Sequence, residues 1–190
     1  MPATGDMEIL NQMMSNFIHI KTQLTLPPIK NKVILKETNG VTYYIELKQI
    51  PTKFILIKPE NLDFLSKNIT GSNGEKQISD YILISESAEG KWIVYIEMKR
   101  GNAEVKKIRN QLIGSKCFID YCKSLVNFFY EGEQHFKDFE ERYVYLNTKI
   151  EEQSIQKTTT VPPNHRLNDN PSDFLPIEGG NGVYFRKLLG

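Results

Sequence analysis

Two carboxylates and one lysine stand where they could assist attack on a phosphate ester. Asp80 lies near the start of the β-rich run 78–85, and Glu97 and Lys99 end the apolar run 91–99. Alternation along an extended strand places Glu97 and Lys99 on one face. Carboxylate oxygens suit a hard divalent cation such as Mg²⁺, and an ammonium group offsets charge that develops on a phosphate. The three residues are therefore a candidate site for metal-assisted phosphate chemistry.

A predicted hairpin brings the three residues together. Residues 87–90 have the composition of a turn, so the runs on either side are predicted to pair as antiparallel strands. The start of the first strand then lies beside the end of the second, and Asp80 comes level with Glu97 and Lys99. The rest of the second strand is so apolar that it should be buried inside a sheet. The charges are expected in a cleft at its end, because neither charge is readily buried alone.

The long helix that follows is the most regular pattern in the chain. Apolar residues recur at intervals of three and four, and Asn102 is the expected N-cap. They are Val105, Ile108, Leu112, Ile119, Cys122, Val126 and Phe129. An amphipathic helix is predicted at 7–19, and Asn39-Gly40 favours a second hairpin. Further strands are predicted at 54–58 and 142–147.

These elements predict an α/β fold: a central mixed β-sheet flanked by helices, with the long helix on one face. A single domain is expected to span residues 1–190, with its core at about 41–148. Residues 149–182 are polar and rich in Pro, Asn and Gly, which is typical of a long loop. Residues 183–188 are expected to return as an edge strand.

The motif residues resemble the PD-(D/E)XK nuclease superfamily. Ser79-Asp80 stands in place of the Pro-Asp pair, and Glu97-Met98-Lys99 supplies the acidic-x-Lys element. The resemblance covers roughly residues 75–125 and implies a restriction endonuclease-like αβββαβ core. The proline of the family motif is missing, as it is in many members.

The resemblance also implies roles for individual residues. Asp80, Glu97 and the backbone carbonyl of Met98 would bind Mg²⁺, with Mn²⁺ as a substitute. Lys99 would orient or deprotonate the attacking water and offset charge on the phosphate. Gln111 matches a glutamine that some members carry on the following helix, although an ordinary surface glutamine fits the pattern equally well. A further acid is usual in the family, and Glu46 and Glu60 are the candidates.

A basic patch follows the strand that ends in Lys99. Arg100, Lys106, Lys107 and Arg109 lie there with Glu104 as the single acid. Basic side chains beside a helix N-terminus would hold a nucleic-acid backbone by charge rather than by sequence. A solvated helix face is the alternative interpretation.

Composition limits the other classes of function. The 190 residues carry a net charge of +1, so nucleic-acid binding would depend on local patches. Two cysteines five residues apart exclude a disulfide scaffold and a cysteine-based zinc site. No run is long and apolar enough for a membrane span, and no secretory signal is evident. A soluble, cytoplasmic protein with no membrane partner is therefore expected.

The sequence thus predicts a Mg²⁺-dependent endo- or exonuclease that acts on DNA more readily than on RNA, in defence or repair. Cutting both strands of a duplex with one site per chain would favour a homodimer. Three alternatives remain open. The charged residues could form a simple cross-strand salt bridge, or the same fold could bind nucleic acid or protein without catalysis. An exposed apolar patch on the first helix, with Met7, Met13, Met14 and Phe17, would instead indicate a protein-interaction domain.

Overall fold

The computed structural model describes residues 5–14, 31–38, 42–59, 71–101, 103–131, 134–148, 168–179 and 182–190. These residues form two α-helices and eight strands, together with short 3-10 helices at Pro171–Asp173 and Phe185–Leu189. The helices are α1 (Asp6–Met14) and α2 (Val105–Phe129). The strands are β1 (Lys32–Glu37), β2 (Tyr43–Lys48), β3 (Lys53–Ile57), β4 (Tyr81–Ser87), β5 (Gly90–Arg100), β6 (Glu140–Thr148), β7 (Leu175–Gly179) and β8 (Gly182–Tyr184).

Both predicted hairpins are confirmed. Strands β4 and β5 pair antiparallel around a turn at residues 88–89, and Tyr81 lies opposite Ile96. Strands β1 and β2 also pair antiparallel, with Leu35 opposite Ile45. The Asn39-Gly40 turn predicted to join them lies outside the described residues.

The α/β class is confirmed, but the strands form two sheets rather than one. The larger sheet has the order β3-β4-β5-β6-β7, in which β5, β6 and β7 are parallel to one another. The smaller sheet has the order β1-β2-β8. The inward-facing residues Leu35, Ile45 and Leu47 are completely buried in the core between the sheets. A second sheet forms because this apolar face must be covered.

The larger sheet is apolar on both faces, which explains how β5 comes to be buried along almost its whole length. One face packs against α1 and α2, and the other packs against the smaller sheet. Residues 92–98 of β5 are all buried. Both described helices therefore pack in one core on the same face, in contrast to the prediction of a single sheet flanked by helices.

Helix α2 connects two parallel neighbours, β5 and β6, so its N-terminal end lies near the carboxyl end of β5. The helix begins at Val105, with Glu104 in the N-cap position and no side-chain capping bond. Asn102, the predicted N-cap, precedes that position and lies outside the described residues, so the predicted start was too early. Gly101 has a φ of 84°, a conformation that suits glycine at the turn between strand and helix.

The prediction of one loop at 149–182 is wrong for its last part. Residues 175–179 form β7, which pairs in parallel with β6 and extends the larger sheet. Asn168 is buried and donates hydrogen bonds to the carbonyls of Tyr143 and Leu188, so this part of the chain is held to the core. The edge strand predicted at 183–188 is confirmed at Val183 and Tyr184, after which the chain forms a 3-10 helix. Residues 149–167 lie outside the described part of the chain.

The first helix is a core element. Met7 and Met14 are almost fully buried and Met13 packs against the same cluster, whereas Phe17 lies outside the described residues. The structure therefore contradicts an exposed interaction patch at the described methionines. None of the helices in the described ranges is long and apolar enough to cross a membrane. Cys117 and Cys122 are free thiols, as expected.

Candidate functional site

The hairpin register places Asp80 and Glu97 at the same level of the larger sheet. Tyr81 pairs with Ile96, so the residue before Tyr81 faces the residue after Ile96. Asp80 Oδ2 accepts a hydrogen bond of 2.7 Å from the Met98 backbone N–H. This bond continues the pairing of the two strands by one residue through a side chain. It holds the carboxylate of Asp80 beside that of Glu97.

Helix α2 fixes the backbone just before Asp80. Ser115 Oγ accepts a 2.8 Å hydrogen bond from the Ser79 N–H, and the two hydroxyl oxygens lie 2.6 Å apart. One residue earlier on the helix, a Cβ on Gly114 would lie 1.8 Å from the carbonyl oxygen of Gln77. Only glycine allows the helix to approach the chain this closely. Ser79, where the family motif has proline, is thus held by hydrogen bonds to α2.

Glu97 is the most unusual charged residue in the described part of the chain. Its side chain is fully buried, and its Oε1 forms an ion pair with Lys99 Nζ. Its Oε2 is buried and has no hydrogen-bond partner among the described residues. Burial and the negative charge of Asp80 raise the pKa of Glu97 to about 8, and Lys99 only partly opposes this. The positive charge of Lys99 therefore does not fully compensate for the burial of Glu97 beside Asp80.

Lys99 remains the ammonium form at neutral pH. Burial alone would lower the pKa of Lys99, but Glu97, Asp80 and Glu37 raise it above its usual value. Its side chain keeps a 28% exposed fraction, so the ammonium group can be reached from solvent. These properties suit a group that offsets negative charge on a substrate better than one that removes a proton.

Sequence reasoning missed one acid of this cluster, Glu37, at the end of β1. Its side chain is 4% exposed, and its charge raises the pKa of both Tyr43 and Lys99. The hydroxyl of Tyr81 ties β1 to β4 here: it donates to the Lys36 carbonyl at 2.6 Å and accepts from the Lys36 N–H at 2.8 Å. These two bonds bring Glu37, the residue after Lys36, close to Asp80, the residue before Tyr81.

The two further acids proposed from sequence do not join the cluster. Glu46 lies on the opposite face of the smaller sheet, paired with Lys32 at 2.5 Å and Lys48 at 3.7 Å. Glu60 lies outside the described residues. Alternation along β1 could have indicated Glu37, because it follows Val33 and Leu35 on the inward face.

Tyr43, at the start of β2, is the second residue that sequence reasoning missed. Its hydroxyl donates a 3.1 Å hydrogen bond to the Met98 carbonyl. Burial and the charges of Asp80, Glu37 and Glu97 raise the pKa of Tyr43 well above its usual range, so it stays a neutral donor. The Met98 carbonyl, a predicted metal ligand, therefore has one lone pair already occupied and one remaining.

Gln111 lies one turn before Ser115 on α2. Its side chain is only 9% exposed, and its Oε1 is buried without a hydrogen-bond partner in the described part of the chain. The alternative of an ordinary surface glutamine is therefore wrong. A buried amide oxygen without a donor is costly, and it is available to an incoming cation, water or donor group.

The four predicted nucleic-acid contacts follow the candidate site in the chain. Arg100, Lys106 and Lys107 are exposed, and Arg109 is half-buried on α2 with its Nε buried and without a hydrogen-bond partner among the described residues. Helix α2 begins a few residues after the end of β5, so Lys106 and Lys107 are separated from Lys99 by only a short stretch of chain. The placement is compatible with phosphate binding and equally with a solvated helix end.

The donor set at Asp80 and Glu97 fits a hard cation. The described ranges contain no group of three or more His, Cys, Asp or Glu residues arranged to hold a metal ion by themselves. Mg²⁺, however, is often held by one or two carboxylates, with waters and substrate oxygens completing its shell. The orphaned Oε2 and the raised pKa of Glu97 both indicate a carboxylate without sufficient counter-charge. Two carboxylates and one backbone lone pair could meet that requirement.

A separate surface groove of about 510 Å³ lies between residues 73–77 and the outer flank of α2. Ile113, Cys117 and Tyr121 line it, and none of the acids described above does. Glu75 and Lys76 also line this groove, but Asp80, Glu97 and Lys99 do not, so it is separate from the candidate site.

Comparison with other proteins adds no assignment. No protein-family model, no curated protein and no solved structure matches this chain. The nuclease resemblance therefore depends on the motif residues and on their arrangement.

Proposed function

We propose that this protein is a metal-dependent nuclease that hydrolyses phosphodiester bonds, in DNA more readily than in RNA. The observation that carries the proposal is Glu97. It is a fully buried carboxylate with a raised pKa and an orphaned oxygen, held between Asp80 and Lys99. Perturbed acids of this kind occur more often at functional sites than elsewhere.

The position of the cluster in the fold supports the same proposal. Asp80 and Glu97 lie where β5 leaves the sheet for α2, at the carboxyl end of a strand parallel to β6. In α/β sheets, ligands bind preferentially outside the carboxyl ends of the strands. The proposal includes the assignment of these elements to a restriction endonuclease-like core.

Each residue then has a role that follows from its environment. Asp80 and Glu97 hold the divalent cation, which when bound activates water and draws charge from the phosphate. Asp80 also accepts from the Met98 N–H, so its orientation is fixed before substrate arrives. Lys99 stays protonated and donates to a phosphate oxygen as negative charge develops there. Tyr43 donates to the Met98 carbonyl and leaves it one lone pair for the cation.

Two observations favour a second candidate, a nucleic-acid-binding module without hydrolysis. The described residues hold no cluster of three or more ligands, and Tyr43 already bonds to the Met98 carbonyl. A site of this kind would bind phosphate through Lys99 and the nearby basic side chains alone. The two candidates differ in whether Asp80 and Glu97 bind a cation.

The test measures cleavage and cation binding in parallel. Supercoiled plasmid and a labelled single strand are incubated with Mg²⁺, Mn²⁺ or EDTA, and Mn²⁺ affinity is measured by calorimetry. The variants are Glu97→Gln and Lys99→Met. Matched controls are Glu86→Gln and Lys91→Met, because Lys91 lies on the same strand at the far end, paired with Glu86 at 3.6 Å.

We expect metal-dependent cleavage that falls about 100-fold or more in both site variants and stays within about twofold in both controls. Glu97→Gln should also lose Mn²⁺ binding, whereas Lys99→Met should retain it. Wild-type protein that neither binds Mn²⁺ nor cleaves would overturn the nuclease proposal. Cation-independent binding of DNA without cleavage would support the binding module.

A further inference from the structure

The outer face of the three-stranded sheet has a composition distinct from that of the candidate site. Residues that alternate away from the core on β1, β2 and β8 are solvent-exposed or half-buried. The side chains of this outer face are Lys32, Ile34, Lys36, Tyr44, Glu46, Lys48 and Tyr184. Three lysines therefore stand against one glutamate, and two tyrosines and an isoleucine lie among them.

Its aromatic residues are unusually exposed for a sheet surface. Tyr44 is 56% exposed, Tyr184 is 48% exposed and Ile34 is 59% exposed. Among the described residues, no element packs on this face, and the apolar side chains on the other side of the same strands supply the core. Large side chains are thus presented to solvent with no packing role in the described fold. Exposed aromatic rings on a sheet are a platform on which unpaired bases stack.

The charge on this face is suited to a polyanion. Glu46 lies between Lys32 at 2.5 Å and Lys48 at 3.7 Å, so the single acid is already neutralised. The third lysine, Lys36, lies beside Tyr44 in the strand pairing. An excess of two positive charges remains interleaved with the rings. Such a surface binds phosphates by charge and bases by stacking.

The two tyrosines of the outer face are offset along the strands. Tyr184 lies beside Lys48, whereas Tyr44 is four residues further back along β2, so the two Cα positions are about 14 Å apart. Lys36 and Tyr44 are the outward neighbours of Glu37 and Tyr43, which belong to the acidic cluster. A strand that lies from Tyr184 toward Tyr44 therefore reaches the edge of the sheet where the candidate site lies.

We propose that the outer face of the three-stranded sheet binds single-stranded nucleic acid, with bases stacked on Tyr44 and Tyr184 and phosphates held by Lys36 and its neighbours. Delivery of that strand to Asp80 and Glu97 depends on the proposed nuclease function, whereas binding to the face does not. The preferred substrate is then an unpaired strand or a single-stranded region, since a rigid duplex keeps its bases stacked away from the tyrosines.

The experiment is fluorescence anisotropy in EDTA, which prevents cleavage, with a labelled oligothymidylate of about 20 nucleotides, longer than one such site. Tyr44→Ala and Tyr184→Ala should each weaken binding about tenfold, and the corresponding Phe variants should bind like wild type because the ring is retained. Lys36→Ala should reduce the salt dependence by about 0.7 in the log–log slope. Tyr121→Ala, an equally exposed tyrosine on α2, is the control and should have no effect.

Three results would overturn the inference. The first is equal affinity of wild type and both Tyr→Ala variants for the oligonucleotide. The second is equal or tighter binding of a duplex of the same length. The third is binding of anionic lipid vesicles, or of heparin, with no binding of the single strand. If the tyrosine variants bind the single strand like wild type and metal-dependent cleavage is observed, this inference is overturned and the nuclease function stands. If binding depends on the tyrosines and no cleavage is observed, the inference stands and the nuclease function is overturned.

Discussion

The two ends of the parallel pair β5–β6 each carry a glutamate on the same face of the sheet, in opposite electrostatic settings: Glu141 is half-buried and Glu97 fully buried. At the amino end, Glu141 accepts from Lys123 at 2.5 Å and from the Tyr143 hydroxyl at 2.6 Å, and Lys116 lies 3.3 Å away. These donors hold the pKa of Glu141 below its usual value although burial opposes them. At the carboxyl end, Glu97 has one lysine and a neighbouring aspartate, and its pKa is raised to about 8.

The difference distinguishes a structural ion network at Glu141 from a candidate ligand-binding site at Glu97. Burial of a charge is costly, and the Glu141 network compensates for it within the fold. Glu97 is buried more completely, at 0% against 17% of the side chain exposed, yet it has fewer donors. The missing positive charge at the carboxyl end is what the proposed cation would supply.

The largest effect is expected from exchanging one acid at a time. Glu97→Gln should abolish metal-dependent cleavage, by about 100-fold or more, while stability at pH 8 is retained or increased because a poorly compensated charge is removed. Glu141→Gln should instead cost about 3 kcal/mol of stability, since it leaves the lysines without their partner, and keep cleavage within about threefold. Urea unfolding and plasmid cleavage measure the two quantities. Loss of activity in a folded Glu141→Gln protein would break the distinction.

The pH dependence of stability should run in opposite directions for the two acids. The pKa of Glu97 is raised in the folded state, so the folded protein binds more protons than the unfolded chain between about pH 4.5 and 8. Its contribution therefore makes the metal-free protein less stable as pH rises through that window, by at most about 1.4 kcal/mol per pH unit. The pKa of Glu141 is lowered, so its contribution is present at neutral pH and is lost as pH falls through the folded value.

Urea unfolding in EDTA across that range, with Glu97→Gln and Glu141→Gln as references, isolates each contribution. The free energy of unfolding of the wild type, minus that of Glu97→Gln, should fall as pH rises. The corresponding difference for Glu141→Gln should fall as pH is lowered. A flat difference for Glu97 would show that its carboxylate is adequately solvated or paired when ionised. That outcome would remove the main support for a cation site.

The sequence predicts contacts between residues that are near each other in the chain better than contacts between distant ones. Asp80 and Glu97 belong to one hairpin, so counting outward from the turn at 88–89 was enough to place them together. Alternation along β1 places Glu37 on the inward face, but it does not predict that the packing of one sheet on the other brings Glu37 to this cluster. Strand β7 was missed because only Leu175 and Ile177 alternate in a polar, proline-rich segment. The helical pattern left open whether Gln111 belongs to the site or to the surface, and only the packing of α2 shows that its side chain is buried.

The smallest effect is expected from removing one tyrosine hydroxyl at each end. Tyr43→Phe deletes the 3.1 Å bond to the Met98 carbonyl and should cost about 1 kcal/mol, with Mn²⁺ affinity unchanged or higher because that carbonyl regains a lone pair. Tyr143→Phe deletes a bond to an ionised Glu141 and should cost about 2 kcal/mol, with no change in Mn²⁺ affinity. Calorimetry and urea unfolding measure both variants. A tenfold loss of Mn²⁺ affinity in Tyr43→Phe would instead make the hydroxyl part of the cation site, and the Met98 carbonyl would no longer be needed as a ligand.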